Sequence, residues 1–319
     1  SFMKNTFINQ FPIFERNNLK EVKMIRNFNE LLEKAKSMKN KTVVITAAQT
    51  ASVLDAAILA KMENIANSLL VGDKVFIENY LSENVPEIKD DFEIIDAGND
   101  LEVAAQKSVK AVREGKADII LKGKCPTATL LKAVLDKEVG LRSDEKLSDV
   151  LIYEHLQKLI LMSDGGINLY PNVEDKISII KNAVKVAHSL EIPNPKVALL
   201  AAVEVVNPKM PATVDAQIIT EKLAEFPNCV VFGPLAFDVA IDEESAKVKN
   251  IKSEVAGNAD VLVVPNIEAG NIFGKSLTYY CKYRVAHVVM GAKVPILIAS
   301  RADTAETKFL SMVLGVVSA

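Results

Sequence analysis

Short apolar runs alternate with amphipathic stretches along nearly the whole chain. The runs are rich in Val, Ile and Leu and rarely alternate with polar residues, which is typical of parallel strands covered on both faces. They are TVVIT (42–46), SLLVG (68–72), EIID (93–96), DIILKG (118–123), KVALLAAV (196–203), VVFG (230–233), DVLVVP (260–265) and VPILIAS (294–300). Between them, the stretch 100–116 places its apolar residues on one helical face, and Asp100 can cap its first turn. The pattern predicts an α/β fold with a doubly wound, open sheet.

Two polar stretches are candidate domain boundaries. The first is GLRSDEKLSD (140–149), which follows the first series of strands and helices. The second lies near HVVMGAK (287–293), where the pattern indicates a helix that ends at Gly291 before the last strand. A chain of 319 residues is long enough for two domains of ordinary size.

Charged side chains are interspersed along the chain. The 38 basic and 41 acidic residues form no basic face and no acidic tail, so we expect neither nucleic acid nor a membrane surface as a partner. No apolar run approaches the roughly 18 residues of a membrane span, and the amino-terminal SFMKNTFINQ lacks the apolar stretch of a signal peptide. We therefore expect a cytoplasmic protein, for which small polyanions remain possible ligands.

Cysteine and histidine are both scarce. The three cysteines form no Cys-x-x-Cys pair and are too few for a disulfide framework, so we expect reduced thiols. His155, His188 and His287 lie far apart in the sequence, which argues against a His-based zinc site, although they could converge in space.

The stretch EAGNIFGKS (268–276) fits a loosened phosphate-binding loop of nucleotide triphosphatases. Ala269 replaces the first glycine, NIEA separates the motif from the preceding strand, and few residues follow Ser276 to complete such a fold. We therefore do not expect a nucleotide triphosphatase.

Two other interpretations of this stretch remain. In the plainer one it is a loop in which Gly270 and Gly274 supply backbone freedom before a helix that begins at Lys275. In the other, Asn271 and Lys275 reach an anion at the carboxyl end of a parallel strand, where open α/β sheets bind ligands.

A first strand-to-helix turn, IILKGKCPTATLLKAV (119–134), combines lysines and hydroxyl groups at the start of a helix. Lys124, Thr127 and Thr129 could bind phosphate together with the exposed backbone N–H groups of the helix start. The alternative is an ordinary cap by one of the threonines beside solvated lysines. Cys125 has no nearby base in the sequence that would support a nucleophile.

A second turn, VPILIASRADTAETKFLSMV (294–313), carries the richest chemistry. Ser300 and Arg301 follow a strand, and an arginine beside a hydroxyl group at a strand's carboxyl end suits bidentate phosphate binding. Asp303 and Glu306 are spaced as in a capping box, which is the structural alternative to a catalytic role for either carboxylate.

Five blocks in one order carry a family resemblance. They are LKGKCPTATLLKAV (121–134), LMSDGGINLYPNVEDKISIIKNAVKVAHSL (161–190), GPLAFDVAI (233–241), VVPNIEAGNIFGKSLTYY (263–280) and ASRADTAETK (299–308). With these blocks the chain resembles the phosphate acetyltransferase and phosphate butyryltransferase family over nearly its whole length. The form of the blocks favours the butyryl-transferring members.

The resemblance implies a fold like that of the isocitrate and isopropylmalate dehydrogenases, with two doubly wound domains flanking a cleft. Residues 1–140 and 287–319 would form a discontinuous first domain, and residues 141–286 the second. It also implies acyl transfer between coenzyme A and inorganic phosphate by direct transfer in a ternary complex, without a metal or a tightly bound cofactor. Members are homodimers or larger, and in bacteria they are coupled to an acyl kinase.

By the same resemblance, Ser300 would hydrogen-bond the sulfur of coenzyme A and Arg301 would hold phosphate. Lys132 stands where the family has an arginine. A lysine at this position would bind substrate, but without the bidentate contact that an arginine makes. The acetyl-transferring members have a basic aspartate at the position of Thr307. Glu306 is then the first candidate for the general base, and Asp303 the second.

Three alternative functions stay open. Acetyl transfer within the same family is the first, because one methylene changes binding by only about 1–3 kcal/mol. A decarboxylating 2-hydroxy-acid dehydrogenase on the same fold is the second, although no Gly-x-Gly-x-x-Gly motif indicates a nicotinamide site. A coenzyme A-binding regulator without turnover is the third.

Overall fold

One mixed sheet with helices on both faces forms the protein, and the computed structural model describes residues 24–156, 158–300 and 302–319. The strands are β1 (Lys41–Thr46), β2 (Ala66–Gly72), β3 (Glu93–Asp96), β4 (Ile119–Lys122), β5 (Ser148–His155), β6 (Lys158–Ser163), β7 (Lys196–Leu200), β8 (Val230–Leu235), β9 (Val261–Val263), β10 (Val285–Met290) and β11 (Ile296–Leu297). The helices are α1 (Phe28–Ser37), α2 (Ala51–Met62), α3 (Lys74–Asn84), α4 (Leu101–Arg113), α5 (Thr127–Val134), α6 (Val173–Ser189), α7 (Pro211–Lys222), α8 (Phe237–Ile241), α9 (Glu243–Val248), α10 (Ile267–Tyr279) and α11 (Ala305–Ser318).

The strand order is β3-β2-β1-β4-β11-β10-β5-β6-β9-β7-β8. The strands from β3 to β11 are parallel, and so are those from β6 to β8. Between these two parallel groups, β10 pairs antiparallel with both β11 and β5, and β5 pairs antiparallel with β6. The last strand, β11, therefore lies beside β4 from the first part of the chain.

Each of the eight apolar runs contains a strand, which confirms the α/β prediction for these elements. The pattern missed β5 and β10, the central antiparallel strands, and also β6, which pairs antiparallel with β5 and parallel with β9. The expected helix end before Gly291 is wrong, since residues 285–290 form β10. The second predicted domain boundary, at residue 287, falls inside this strand, and the two-domain division itself stays a prediction.

Helix α4 illustrates how local sequence sets an element. Asp100 precedes it, and its carboxylate accepts the N–H groups of Glu102 and Val103, as the sequence predicts. Such a cap is worth about 1 kcal/mol because it satisfies donors that have no partner inside the helix. The buried residues of α4 share one face, which packs against β1, β2 and β4.

The two faces of the sheet are packed differently. On one face, a single apolar core runs the length of the sheet and includes α1, α2, α6 and α11. On the other face, one cluster gathers α4 and α5 over β1, β2 and β4, and a separate cluster gathers α8, α9 and α10 over β5, β6 and β9. The central strands β10 and β5 form the floor of the space between these two clusters. This division of the core creates the cleft described below.

None of the helices in the described ranges is both long and apolar enough to cross a membrane.

Candidate active site

A cleft of about 490 Å³ opens over β5 and β10, and residues that follow β4, β11 and β6 line it. Open α/β sheets bind ligands at the carboxyl ends of their strands. The apolar part of the lining includes Leu151, Met162, Ile167, Val289, Ile298 and Ala299. The polar part consists of Lys122, Thr127, Asp149, Asn271, Lys275, Thr278, His287, Ser300 and Asp303.

Five of the predicted site residues meet in this cleft although they come from three distant parts of the sequence. They are Thr127, Asn271, Lys275, Ser300 and Asp303. Thr127 is the first residue of α5, Asn271 and Lys275 lie on α10, and Ser300 and Asp303 precede α11. The cleft thus combines an apolar floor with hydroxyl, amide, ammonium and carboxylate groups.

The glycine-lysine stretch lies inside helix α10, so the expectation of a loop before a helix that begins at Lys275 is wrong. The helix begins at Ile267, and the side chain of Asn266 accepts the N–H of Ala269 to cap it. Its glycines allow close packing: a Cβ at Gly270 would lie 2.7 Å from the Cα of Gly165. The helix surface, rather than a phosphate-binding loop, therefore presents Asn271 and Lys275 to the cleft.

Ser300 is held by a tight turn. Its backbone N–H donates to the carboxylate of Asp303 at 2.7 Å, and the N–H of Asp303 donates to the carbonyl of Ser300 at 3.1 Å. The expected capping box of Asp303 and Glu306 is not formed, because Thr304 is the N-cap of α11 and accepts the N–H of Thr307. Asp303 instead fixes the backbone that presents Ser300.

A buried lysine supports the same turn from below. Lys308 is 4 % exposed, and its ammonium donates to the carbonyl of Asp303. Burial lowers the pKa of Lys308, while the charge of Asp303 acts in the opposite direction. The turn is thus stabilised both by its own hydrogen bonds and by the first turns of α11.

The start of α5 lines the same cleft through Pro126 and Thr127. Neither Thr127 nor Thr129 caps this helix; Pro126 is the N-cap residue and makes no side-chain capping bond. Lys122, 4 % exposed, lies at the end of β4, and its ammonium donates to the carbonyls of Gly123 and Cys125 at 3.4 Å each. An uncapped helix start beside a lysine is a favourable environment for an anion.

The structure does not bring every predicted residue to the cleft. Lys124 is exposed outside it, and Thr129 and Lys132 line a separate cavity of about 520 Å³ between α4 and α5. The ammonium of Lys132 lies 3.7 Å from the carboxylate of Glu102. Arg301 lies outside the described residues, so its assignment to phosphate stays a prediction.

Glu306 faces away from the cleft lining and accepts the Nε–H of Arg284 at 3.0 Å, with 61 % of its side chain exposed. We expect Glu306→Ala to leave kcat for acyl transfer within about twofold, since its carboxylate does not line the cleft and its exposed ion pair adds about 1 kcal/mol or less to stability. Steady-state rates across the pH range would test this. A loss of the pH dependence of thiol attack in this variant would instead make Glu306 the base.

Sequence reasoning missed the loop after β6 as a wall of the cleft. The carboxylate of Asp164 accepts the backbone N–H groups of Gly166, Ile167 and Asn168 and the side-chain amide of Asn168, at 2.6–3.2 Å. Burial raises the pKa of Asp164, and so does the charge of Asp149, whereas the loop donors oppose the shift. The Asp-Gly-Gly run within the second family block was the available signal.

Sequence reasoning also missed the pair formed by His287 and Asp149. Nδ1 of His287 lies 3.2 and 3.3 Å from the two carboxylate oxygens of Asp149. The residues are far apart in sequence, and the pattern predicts a helix where β10 lies, so no local pattern joins them.

Within the described ranges, no group of three or more His, Cys, Asp or Glu side chains is arranged to hold a metal ion. No disulfide links the cysteines of these ranges.

Comparison with known proteins identifies relatives of this chain. The profile described as phosphate acetyl/butaryl transferase matches residues 78–316. A phosphate butyryltransferase of Clostridium acetobutylicum is 43% identical over 295 residues, covering 91% of this chain and 97% of that protein. A phosphate acetyltransferase of Thermotoga maritima is 38% identical over 294 residues, covering 91% and 99%.

A solved structure agrees with the sequence relatives. The crystal structure of a branched-chain phosphotransacylase from Enterococcus faecalis V583 superposes with a TM-score of 0.78 at 34% identity, covering 87% of this chain and 98% of that one. The matched region contains the strands, helices and loops that form the cleft. The chain therefore belongs to the phosphate acetyl/butaryl transferase family.

Proposed function

We propose that this protein transfers a short-chain acyl group between coenzyme A and inorganic phosphate, interconverting butyryl-CoA plus phosphate with butyryl phosphate plus coenzyme A. The observation that carries the proposal is the convergence of the Ser300 turn, Lys275 and the uncapped start of α5 over an apolar floor. The reaction needs this combination, since a phosphate must be neutralised beside an uncharged acyl chain.

The cleft residues take complementary roles in this proposal. Ser300 hydrogen-bonds the sulfur of coenzyme A, and Arg301 holds the phosphate. Lys275, Asn271 and Thr127 lie on opposite sides of the opening and bind phosphate oxygens of the two substrates. Positioning both substrates in one ternary complex supplies much of the rate, because direct transfer needs no acyl-enzyme.

The predicted binding residues outside the cleft remain part of this proposal. Thr129 and Lys132 lie on the same short helix as Thr127, with Lys124 just before it. We assign these three to the distal part of coenzyme A, which is long and carries several phosphates. The assignment predicts that their replacement affects binding of coenzyme A and not binding of phosphate.

The apolar floor supplies a site for the acyl chain. Leu151 and Met162 lie on neighbouring strands, and a Cβ at Gly274 would stand 3.1 Å from Cδ1 of Leu151 and 3.6 Å from Cε of Met162. Each is a flexible side-chain end that shapes the space beside α10.

We expect Gly274→Ala to lower kcat/KM for butyryl-CoA about tenfold relative to acetyl-CoA. The added methyl occupies space beside Leu151, and loss of room for one methylene is worth about 1–3 kcal/mol in an apolar site. The ratio of the two kcat/KM values is the measurement. An unchanged ratio would remove Gly274 and its neighbours from the acyl site.

The direct test of the proposed function is phosphate-dependent release of free thiol from butyryl-CoA by the purified protein, with acetyl-CoA in parallel. Release that favours butyryl-CoA supports the proposal, and preference for acetyl-CoA assigns the protein to acetyl transfer. Binding of coenzyme A without release of thiol from either substrate overturns the enzymatic function.

The wider assignments follow from the same proposal. We place the two core clusters on either side of the cleft in two doubly wound domains, arranged as in the isocitrate and isopropylmalate dehydrogenases. The protein works as a homodimer or larger assembly in the cytoplasm, has no tightly bound cofactor, and is coupled to an acyl kinase that uses the acyl phosphate. Light scattering during size-exclusion chromatography tests the oligomeric state.

A further inference from the structure

A carboxylate–imidazole pair lies on the floor of the cleft. Strands β10 and β5 are antiparallel neighbours in which His287 is opposite Leu151 and Val289 is opposite Asp149. His287 and Asp149 are therefore diagonal neighbours on the same face of the sheet, close enough for their side chains to bond. That face is the one that lines the cleft, while Ala286 and Val288 point into the continuous core on the opposite face.

The carboxylate of Asp149 is directed at the imidazole. Its side chain is only 8% exposed, and His287 is its hydrogen-bond partner among the described residues. Gly166 covers the other side of this carboxylate, where a Cβ would lie 3.1 Å from Oδ2. The neighbouring carboxylate of Asp164 is occupied by the N–H groups of its own loop. Asp149 is thus placed to orient His287.

This arrangement determines which ring nitrogen of His287 is available to a substrate in the cleft. With Nδ1–H donating to Asp149, Nε2 carries the lone pair of the neutral ring. No described residue forms a hydrogen bond with Nε2, and 22% of the His287 side chain remains exposed in the cleft. The backbone N–H of His287 donates to the hydroxyl of Ser311 on α11 at 3.0 Å, which anchors the residue.

The charges around the ring act in opposite directions. Burial lowers the pKa of His287, but Asp149 raises it through its charge and hydrogen bond, Asp303 raises it further, and Lys275 lowers it; the net direction is upward. The groups that face the ring are thus Asp149 on β5, Asp303 before α11 and Lys275 on α10. Lys122 at the end of β4 lines the same cleft, and Asp164 after β6 lies close enough to Asp149 for the charge of Asp149 to raise its pKa.

The two carboxylates that the sequence suggests as general base both have other hydrogen-bond partners. Asp303 accepts the N–H of Ser300, and Glu306 pairs with Arg284 outside the cleft. Ser300 and His287 line the same cleft. The serine proposed to bind the sulfur of coenzyme A therefore shares this space with a ring nitrogen that can accept the proton of the thiol.

We propose that His287, oriented by Asp149, is the general base and acid for the thiol of coenzyme A, an inference that rests on the acyl transfer proposed above. In the direction of acyl-CoA synthesis, the S–H proton passes to Nε2 as the sulfur forms a bond with the acyl carbon. The bond from that carbon to the phosphate oxygen breaks, and phosphate leaves with the electron pair. In the reverse direction the imidazolium returns the proton to the departing sulfur.

The test compares the pH dependence of kcat/KM for coenzyme A, at saturating butyryl phosphate, in three variants. His287→Asn keeps an N–H donor toward Asp149 but lacks Nε2, and we expect a loss of about 10²-fold or more together with the acid limb of the profile. Asp149→Asn removes the charge that raises the pKa of His287, so the acid limb should remain and move to lower pH. His188→Asn is the matched control, because His188 is an exposed histidine bonded to the carbonyl of Asn228.

The outcomes separate this inference from the proposed function. If the unmodified protein shows no phosphate-dependent thiol release, the acyl transfer itself fails. If it turns over and His287→Asn retains both the rate and the acid limb, the proton-transfer role is overturned. A fall in rate with an unchanged acid limb, in a variant that keeps its melting temperature and its affinity for coenzyme A, would also overturn it.

Discussion

Arg301→Ala is expected to lower kcat/KM for phosphate by about 10²- to 10³-fold, the cost of removing one preorganised charge-assisted donor from a reacting oxyanion. The expectation follows from the position of the residue after Ser300, which is held in the cleft by Asp303. Initial rates of thiol release at varied phosphate are the measurement.

Arg301→Lys is the matched control for this prediction. Lysine keeps the positive charge but loses the planar pair of donors that fits phosphate, so we expect it to recover only part of the rate. The KM for acyl-CoA should change little in either variant. An unchanged dependence on phosphate concentration in Arg301→Ala would contradict the assignment.

The sequence predicts the parallel strands well because their signal is local. Runs such as 42–46 and 118–123 are covered on both faces and need no alternation to be recognised. The central antiparallel strands carry a weaker signal. In β10 one face is buried in the continuous core, whereas the other places His287 and Val289 on the floor of a cleft. The pattern of such a strand reflects the site as well as the fold.

The predicted site residues also differ in how far local sequence determines their position. Ser300 follows a strand, Thr127 begins a helix, and Lys275 belongs to a stretch that resembles a ligand-binding motif. Local sequence reveals each of these features, and the structure brings the three residues together. Thr129 is two residues beyond Thr127 but turns toward the cavity between α4 and α5, because successive residues of a helix face different directions. Only the three-dimensional arrangement separates such neighbours.

The His287–Asp149 pair lies beyond local inference for a different reason. Its formation depends on the register of β10 against β5, and a slip of one residue would turn both side chains to the opposite face. Register between strands so distant in sequence is set by the packing of the whole sheet. The sequence shows that a histidine and an aspartate are present, but it does not show that their side chains are in contact.

Helix α10 shows how a long-range contact can imitate a local motif. Gly270 and Gly274 suggest a flexible loop when read alone, yet both lie inside the helix. Gly270 faces Gly165 in the loop after β6, and this backbone contact, rather than turn formation, accounts for the glycine. The same contact makes the residue a sensitive point for mutation.

Gly270→Ala is expected to lower the free energy of unfolding by about 3 kcal/mol, at the upper end of the cost of overpacking. The new Cβ would lie 2.7 Å from the Cα of Gly165, 2.8 Å from the carbonyl oxygen of Asp164 and 2.9 Å from Cγ2 of Val264. Two of these atoms belong to the backbone and cannot rotate away, so α10 must shift from the loop after β6. Denaturant-induced unfolding of the two proteins measures the difference.

Gly274→Ala, on the same helix, separates this clash from helix propensity. Both substitutions gain about 1 kcal/mol of propensity, but at Gly274 the nearest atom is the mobile end of Leu151, at 3.1 Å. We therefore expect Gly274→Ala to unfold at the same denaturant concentration as the parent or a higher one. Equal destabilisation by the two changes would mean that α10 tolerates no added methyl at all, and the specific contact with Gly165 would lose its role. Since α10 also presents Asn271 and Lys275, the shift caused by Gly270→Ala should lower activity as well, and by more than the unfolded fraction accounts for.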